Sequence, residues 1–312
     1  MKTALIFPGQ GSQFIGMGHD FYMKYDVSRD IYDRLDLVTN RNLSRIIFSG
    51  KEEDLMQTQN SQPAIMATSI AIFEAIKHEN LLKEESFNCV AGHSLGEYSA
   101  LVVNKSLTFD ESVNLLKFRS KVMQESMPIG TGGMVALIGC TNEIIENTII
   151  NAEKYGQVFV SNDNALGQSV LSGEIGAIDY IVSNSKSLNI KRAIRLPVSA
   201  PFHCKLINNA SIKMKNEISN YIFKPFIKPL YSNVDAKICN EKTIANLLVN
   251  QIVSKVKWRE IVENMIADGI TSFIEIGPGN VLTNLVKRIS KEVTAVSISR
   301  LEDLEKLDII KI

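Results

Sequence analysis

The chain has 312 residues, of which 45% are hydrophobic and 22% charged, a composition typical of a globular protein with a large core and room for a second, smaller unit. Its 34 basic and 34 acidic residues cancel, which argues against nucleic acid or an anionic membrane surface as a partner. The balance leaves small molecules and locally charged proteins as candidate partners.

The cysteines and the first residues of the chain indicate a reducing compartment. The four cysteines lie far apart and form no C-x-x-C pair, so we expect neither a zinc site nor a disulfide framework: they are Cys89, Cys140, Cys204 and Cys239. A strand-like segment starts at residue 3, with no charged leader and no long apolar stretch. We therefore expect a soluble cytoplasmic protein without a metal, a transit peptide or a membrane segment.

The first predicted strand covers residues 3–7 (T-A-L-I-F) and ends in the loop 8–13, where a proline and two glycines stop the strand. Such a loop lies at the carboxyl end of a strand, where ligands bind in open α/β sheets. A phosphate-binding loop is the alternative, but the lysine of a P-loop is missing.

Residues 64–76 fit a buried helix that serves as scaffold. The next informative motif is Gly92-His93-Ser94-Leu95-Gly96, which matches G-x-S-x-G. It lies between a short buried strand, residues 88–91, and a helical pattern over residues 95–103, so Ser94 is predicted at a nucleophile elbow. The N–H groups that follow such a serine can bind a developing oxyanion. The alternative is an ordinary serine that caps a helix.

A helix predicted over residues 110–127, with Thr108 or Asp110 as its N-cap, carries Arg119 inside its apolar stripe. A cation in that position needs an anion. One interpretation is a structural carboxylate partner or a side chain that extends to solvent. The other is a planar guanidinium that awaits a substrate carboxylate.

Residues 128–133 resemble a linker, and the segment that follows has the order β-α-β-β-α-β over residues 134–196. That order predicts a ferredoxin-like subdomain inserted into the larger unit. Its basic residues indicate a solvated face or, alternatively, a docking surface for an acidic partner: Lys186, Lys191, Arg192 and Arg195.

His203 is the candidate base. It lies in an apolar, proline-punctuated segment, residues 196–204, and follows Ser94 in the chain as a base does in this arrangement. Two of the other histidines lie in polar surroundings, and the one beside Ser94 is expected to point away around the turn: they are His19, His78 and His93. A core histidine is the alternative for His203. Further strands are predicted at residues 230–233, 272–276 and 293–298, and helices at 243–253 and 258–268.

Five motifs, taken together, resemble the malonyl-CoA:acyl carrier protein transacylases from end to end: Phe7 to Gln13, Gly92 to Glu97, Arg119, Val198 to His203 and Glu275 to Gly279. The resemblance implies an α/β fold with an α/β-hydrolase-like catalytic domain, residues 1–129 and 197–312, around a central, mostly parallel sheet. Residues 130–196 then form the ferredoxin-like subdomain. Acyltransferase domains of polyketide and animal-type fatty-acid synthases share most of the motifs.

The resemblance also implies the site. Ser94 is then the nucleophile and His203 its base, and the backbone N–H groups of Gln10 and Leu95 form the oxyanion hole. Arg119 binds the free carboxylate of the substrate.

Two further residues follow from the resemblance. In this family a backbone carbonyl orients the base, and Gln251 matches that position, which agrees with the lack of an obvious acidic triad member. In related polyketide acyltransferases a phenylalanine directly before the histidine accompanies malonyl selection. Phe202 occupies that place and is expected to exclude a methyl group beside the malonyl C2.

The implied reaction transfers malonyl from malonyl-CoA to the phosphopantetheine thiol of holo acyl carrier protein through a malonyl-serine intermediate. It needs no cofactor and supplies extender units for fatty-acid synthesis. We expect the protein to be a monomer. Alternatives are a stand-alone acyltransferase of a polyketide synthase and a serine acyl hydrolase, which predicts an acidic triad member. A third alternative is a non-catalytic module that binds carrier protein. The presence of Ser94, His203 and Arg119 argues against it.

Overall fold

A computed structural model describes residues 2–198 and 200–310. The strands are β1 (Thr3–Phe7), β2 (Cys89–Gly92), β3 (Gly132–Ile138), β4 (Val158–Ala165), β5 (Gln168–Glu174), β6 (Arg192–Arg195), β7 (Leu230–Tyr231), β8 (Ile238–Cys239), β9 (Ser272–Ile276) and β10 (Thr294–Ile298). The α-helices are α1 (His19–Lys24), α2 (Asp26–Thr39), α3 (Leu43–Ser49), α4 (Glu52–Met56), α5 (Thr58–His78), α6 (Gly96–Val103), α7 (Phe109–Gln124), α8 (Asn142–Ala152), α9 (Ile175–Ser183), α10 (Asn208–Ile218), α11 (Ile244–Gln251), α12 (Trp258–Ala267), α13 (Val281–Ile289) and α14 (Leu307–Ile310).

The larger sheet has six strands in the order β10-β9-β1-β2-β7-β8. Its pairs are parallel except for β7 with β8. Every residue of β1 is buried, as expected for a central strand covered on both faces. Alternate side chains serve opposite faces, because Leu5 and Phe7 belong to one apolar cluster and Ala4 and Ile6 to another.

Helices cover both faces of this sheet. The cluster around Leu5 and Phe7 includes apolar side chains of α2, α5 and α7. The cluster on the other face is built from α12 and α13 and contains Trp258, which is fully buried. The sheet is therefore a rigid platform whose strand ends carry the loops.

The smaller sheet has four antiparallel strands in the order β4-β5-β3-β6. Its first strand in the chain, β3, lies between the third and the fourth, which is the ferredoxin-like order, and α8 and α9 pack against it in a separate apolar cluster. The mixed α/β fold with a mostly parallel central sheet and a separate antiparallel sheet is thus confirmed. The division of the chain at residues 129 and 197 stays a prediction.

The loops after β1 and β2 leave the sheet side by side, because these two strands pair in parallel, with Phe7 opposite Gly92. This puts the proline-glycine loop beside the G-x-S-x-G turn. None of the helices in the described ranges combines the length and the hydrophobicity that a membrane span requires.

Candidate active site

Ser94 occupies a strained turn between β2 and α6. Its φ angle is +54°, in the left-handed region that non-glycine residues rarely adopt. The flanking residues must be glycines because a side chain at either position would clash with the backbone. A Cβ on Gly92 would lie 1.9 Å from the Gly96 carbonyl carbon, and one on Gly96 would lie 2.2 Å from the Phe7 carbonyl oxygen. The packing of α6 against β1 and β2 therefore produces the predicted elbow and holds the hydroxyl out of the turn.

His203 contacts the Ser94 hydroxyl directly, with 2.7 Å between Nε2 and Oγ. Its Nδ1 lies 2.8 Å from the backbone carbonyl oxygen of Gln251 at the end of α11. A carbonyl oxygen only accepts, so Nδ1 carries the proton and Nε2 is the free base. Burial, with a smaller contribution from the Arg119 cation, lowers the pKa of His203 to about 3. The imidazole is therefore neutral near pH 7.

Arg119 projects from α7 and is fully buried. One terminal nitrogen donates to the Gln62 side-chain oxygen at 2.7 Å. The other donates to the Gln251 side-chain oxygen at 2.8 Å and to Ser94 Oγ at 3.1 Å, whereas its Nε has no partner. Among the described residues no carboxylate forms an ion pair with Arg119. The expectation that a structural carboxylate neutralises this cation is not met, because amide oxygens take that place.

Asn233 and Glu97 were given no role by the sequence analysis, although Glu97 ends the Gly92 to Glu97 motif, yet both contact the site. The Asn233 side chain accepts the Ser94 N–H at 2.6 Å and donates to the Gly92 carbonyl oxygen at 2.7 Å. Glu97, on the first turn of α6, accepts the Asn233 backbone N–H at 3.0 Å and a hydrogen bond from the Gln251 side chain. The available signal for Glu97 was a lone carboxylate in an otherwise apolar helix. Asn233 was predicted as the last residue of a strand over 230–233, but that strand, β7, ends at Tyr231 and Asn233 follows it.

A cavity of about 240 Å³ opens above Ser94 and His203. The loop after β1 lines one side of it and Phe202 lines another, together with apolar side chains from the smaller sheet and α13: Met134, Ala136, Val170, Val281, Leu282 and Leu285. Within the described residues, the backbone N–H groups of Gln10 and Leu95 donate to no other group. These two donors remain available to a bound ligand.

His93 does not point away from the site as expected. It lines the same cavity as Ser94 and its Nε2 lies 2.9 Å from the Asn164 side-chain oxygen of β4. The Trp258 ring packs beside the imidazole at a centroid distance of 5.6 Å. The smaller sheet, which sequence patterns could not place relative to the turn, supplies the partner that holds His93 in this direction.

These groups together have the parts of an acyl-serine mechanism: a hydroxyl hydrogen-bonded to a neutral imidazole, two free N–H groups and a buried cation. Across residues 2–198 and 200–310 no group of three or more His, Cys, Asp or Glu side chains could hold a metal ion. The four cysteines are free and buried.

Residues 4–306 match the family model described as the acyl transferase domain. The chain is 38% identical over 306 residues to the malonyl CoA-acyl carrier protein transacylase of Bacillus subtilis strain 168, an alignment that covers 97% of this chain and 95% of that protein. It is 36% identical over 299 residues to the protein of the same name from Escherichia coli K12, with 96% of each chain covered.

Solved structures agree with these sequence matches. The acyl-carrier-protein S-malonyltransferase of Bartonella henselae superimposes with a TM-score of 0.95 at 38% identity and covers 100% of both chains. The malonyl-transacylase PlMCAT, solved in complex with AntF, a type II PKS acyl-carrier protein, gives a TM-score of 0.94 at 35% identity, with 98% of this chain and 99% of that chain covered.

Proposed function

The chain belongs to the acyl transferase domain family, and from this premise we propose that it transfers malonyl from malonyl-CoA to the phosphopantetheine thiol of holo acyl carrier protein. The product supplies extender units for fatty-acid synthesis. The transfer proceeds through a malonyl ester on Ser94. No cofactor takes part in this chemistry.

In the first half-reaction the Ser94 oxygen attacks the thioester carbonyl carbon while His203 Nε2 takes the hydroxyl proton. The negative charge that develops on the carbonyl oxygen is bound by the N–H groups of Gln10 and Leu95. The carbon–sulfur bond then breaks, the imidazolium returns its proton to the departing CoA sulfur, and malonyl-Ser94 remains. The Gln251 carbonyl stabilises the imidazolium because it accepts from Nδ1 throughout.

In the second half-reaction the carrier-protein thiol enters the same cavity and gives its proton to His203. Its sulfur attacks the ester carbon, the ester oxygen leaves, and the imidazolium returns the proton to Ser94. The same donors stabilise both tetrahedral intermediates, so a single site suffices for both acyl transfers.

The observation that carries the proposal is the combination of the 2.7 Å contact between Ser94 Oγ and His203 Nε2 with a guanidinium nitrogen 3.1 Å from the same oxygen. The free carboxylate of a malonyl group lies two bonds beyond its carbonyl carbon. A cation beside the nucleophile, with its Nε still unpaired, is placed to bind that carboxylate. An esterase of simple acyl groups has no use for this buried charge.

Varying the acceptor distinguishes transfer of the malonyl group from its hydrolysis. Radiolabelled malonyl-CoA is mixed with the protein in the presence of holo carrier protein, apo carrier protein or none, and the control is Ser94→Ala. We expect label on holo carrier protein only, slow release of malonate without a thiol, and no transfer by the variant. Rapid malonate release that does not depend on the acceptor would identify a hydrolase and overturn the proposal.

We further propose that the protein acts as a monomer in the cytoplasm. The nucleophile, its base and the buried cation contact one another within one protomer, so the proposed reaction needs no residue of a second copy. The four free cysteines suit a reducing compartment. Sedimentation velocity at working concentrations tests the first point, since a stable dimer would sediment at about twice the expected mass.

A further inference from the structure

The Glu97 carboxylate lies behind the nucleophile, outside the cavity, and is fully buried. Burial raises the pKa of its carboxyl, and the hydrogen bonds from Asn233 and Gln251 and the nearby Arg119 cation oppose that rise. A buried carboxylate without a direct cation is costly in free energy. Such a group needs a reason to be there.

Its two oxygens serve two different donors. Oε1 accepts the Asn233 backbone N–H at 3.0 Å, and Oε2 accepts a hydrogen bond from the Gln251 side-chain nitrogen. These are the hydrogen bonds that the carboxylate makes within the described residues, and both lead to groups that touch Ser94. Both hydrogen bonds of the Glu97 side chain are thus directed at the neighbours of Ser94.

Gln251 extends this connection in three directions. Its side-chain nitrogen also donates to the Ser94 carbonyl oxygen at 3.0 Å, and its side-chain oxygen accepts from Arg119 at 2.8 Å. Its backbone oxygen accepts from His203 Nδ1 at 2.8 Å. Because Arg119 only donates, the Gln251 side-chain oxygen faces the arginine and its side-chain nitrogen faces Glu97. Glu97 accepts from that nitrogen and so holds the amide in this orientation.

Asn233 completes the network on the other side of the nucleophile. Its backbone N–H is held by Glu97, and its side-chain oxygen accepts the Ser94 N–H at 2.6 Å. Ser94 has a left-handed backbone conformation that costs free energy and needs such support. The N–H and the C=O of Ser94 are both bound by residues that Glu97 holds.

We propose that Glu97 is a positioning residue for acyl transfer, which acts through Gln251 and Asn233 to align Ser94, His203 and Arg119. This inference rests on the proposed function for the identity of the substrate, whereas the hydrogen bonds from which it is argued do not depend on that function. In Glu97→Gln the side-chain NH₂ group would face either the Asn233 backbone N–H or the Gln251 side-chain nitrogen, both of which are donors. The network would then lose a hydrogen bond and gain a repulsive contact.

The test uses Glu97→Gln, which keeps the side-chain size, and Glu97→Asp, which keeps the carboxyl group but is one methylene too short to reach both donors. The matched control is Asp303→Asn. Asp303 is another buried carboxylate: it accepts the backbone N–H groups of Ser299 at 2.9 Å and Arg300 at 2.8 Å, forms an ion pair with Lys306, and does not line the cavity.

Three quantities are measured well below each melting temperature: kcat, KM for malonyl-CoA, and the rate at which a fluorophosphonate labels Ser94. We expect Glu97→Gln to lower kcat and the labelling rate about 10- to 100-fold with KM changed less than about threefold, because misalignment affects the reaction and Glu97 does not line the cavity. Glu97→Asp should lie between this variant and the parent. Asp303→Asn should lose melting temperature yet keep both rates.

Parental kcat and labelling in either folded Glu97 variant would overturn the inference, as would an equal loss of rate in Asp303→Asn. If Glu97→Gln fails to fold, Glu97→Asp alone decides. Labelling by the fluorophosphonate does not require malonyl-CoA. A parent that reacts with the probe but transfers no malonyl would therefore contradict the proposed function and leave the test of Glu97 intact.

Discussion

Arg119 is the residue whose burial most needs an explanation. A guanidinium with no carboxylate partner in a fully buried position is unfavourable, and burial accordingly lowers the pKa of Arg119. Two amide oxygens and the Ser94 hydroxyl satisfy its terminal nitrogens, but none of them neutralises the charge. A bound malonyl carboxylate would neutralise the Arg119 charge. The free-energy cost of burying this cation is then explained by its role in substrate recognition.

Arg119→Ala should therefore reduce kcat/KM for malonyl-CoA at least about ten- to a hundredfold, the loss of one or two charge-assisted hydrogen bonds. Acetyl-CoA, which has no carboxylate, should suffer less or gain. Steady-state rates with both esters measure the difference, and Arg119→Lys serves as the control that keeps the charge without the planar fork. Equal losses on both esters would mean that Arg119 supports the fold and not the substrate.

Phe202 lies directly before His203 in the chain and lines the cavity, with only 5% of its surface exposed. With the carboxylate and the carbonyl both bound, a methyl group on C2 would have to occupy the space of the ring. We expect selectivity for malonyl over methylmalonyl of about tenfold to a hundredfold in kcat/KM, and relaxed selectivity in Phe202→Ser. Competition between the two CoA esters measures it. Parental protein that uses both esters equally would refute this role.

The pH dependence tests the state of His203. Its pKa lies at about 3 in the folded protein instead of the ordinary 6.5, so the imidazole stays neutral as the pH falls through 6.5. We expect kcat/KM for malonyl-CoA to show no acid limb with a midpoint near 6.5. Stability, in contrast, should decrease from about pH 6.5 downward, because the unfolded chain then binds a proton that the folded one does not. An acid limb at 6.5 in kcat/KM would contradict the buried, neutral base.

At the scale of elements, the elbow depends on how closely α6 approaches β1 and β2. Gly92→Ala would place a methyl group within 1.9 Å of backbone carbon, and backbone cannot rotate away as a side chain can. The control is Gly133→Ala in β3, whose new Cβ would meet the side chains of Ile175 at 3.4 Å and Ile178 at 3.8 Å, both ordinary van der Waals contacts.

We expect Gly92→Ala to lose fluorophosphonate labelling of Ser94 and at least about 3 kcal/mol of stability, beyond the usual cost of overpacking. Gly133→Ala should keep both, with a stability change within about 1 kcal/mol. Chemical denaturation and labelling rates provide the two measurements. Normal labelling in folded Gly92→Ala would show that the turn tolerates a wider approach of the helix.

Element types followed from the sequence more readily than their ends. The buried helix predicted at residues 64–76 extends over Thr58–His78, because its first turns carry polar residues, among them Asn60 and Gln62, that are buried against the site and its surroundings. The second strand of the predicted β-α-β-β-α-β segment, β4, covers Val158–Ala165. Its polar residues 162 and 163 pair with β5, and Asn162 also bridges to Val256. Apolar periodicity cannot mark polar residues that are ordered by distant partners.

At the scale of the molecule, the site gathers residues from widely separated parts of the chain. The motifs around Ser94 and His203 predicted the two residues that the structure brings into contact, since nucleophile and base follow a recognisable order. The neighbours that orient them come from residues 62, 97, 233 and 251, and three of these make their contacts through amides. An amide side chain carries no distinctive sequence pattern, so Asn233 and Gln62 became apparent only from the fold.

The smaller sheet is joined to this assembly by more than the chain connections. Arg259 of α12 donates to Asp163 of β4 at 2.8 Å, and the Asp163 N–H donates to the Val256 carbonyl oxygen at 2.9 Å. These contacts hold the wall of the cavity that carries Met134, Ala136 and Val170 against the large sheet. Residues that follow strands of the large sheet and residues of the smaller sheet therefore line one cavity above Ser94.

Intact mass spectrometry after addition of malonyl-CoA shows directly whether Ser94 carries the acyl group during transfer. We expect a mass increase of one malonyl group, located on the peptide that contains Ser94, removed by holo carrier protein and absent from Ser94→Ala. His203→Ala should acquire the adduct orders of magnitude more slowly, because an unactivated hydroxyl is a poor nucleophile at neutral pH. No adduct, or an adduct on another residue that persists in Ser94→Ala, would contradict this role of Ser94.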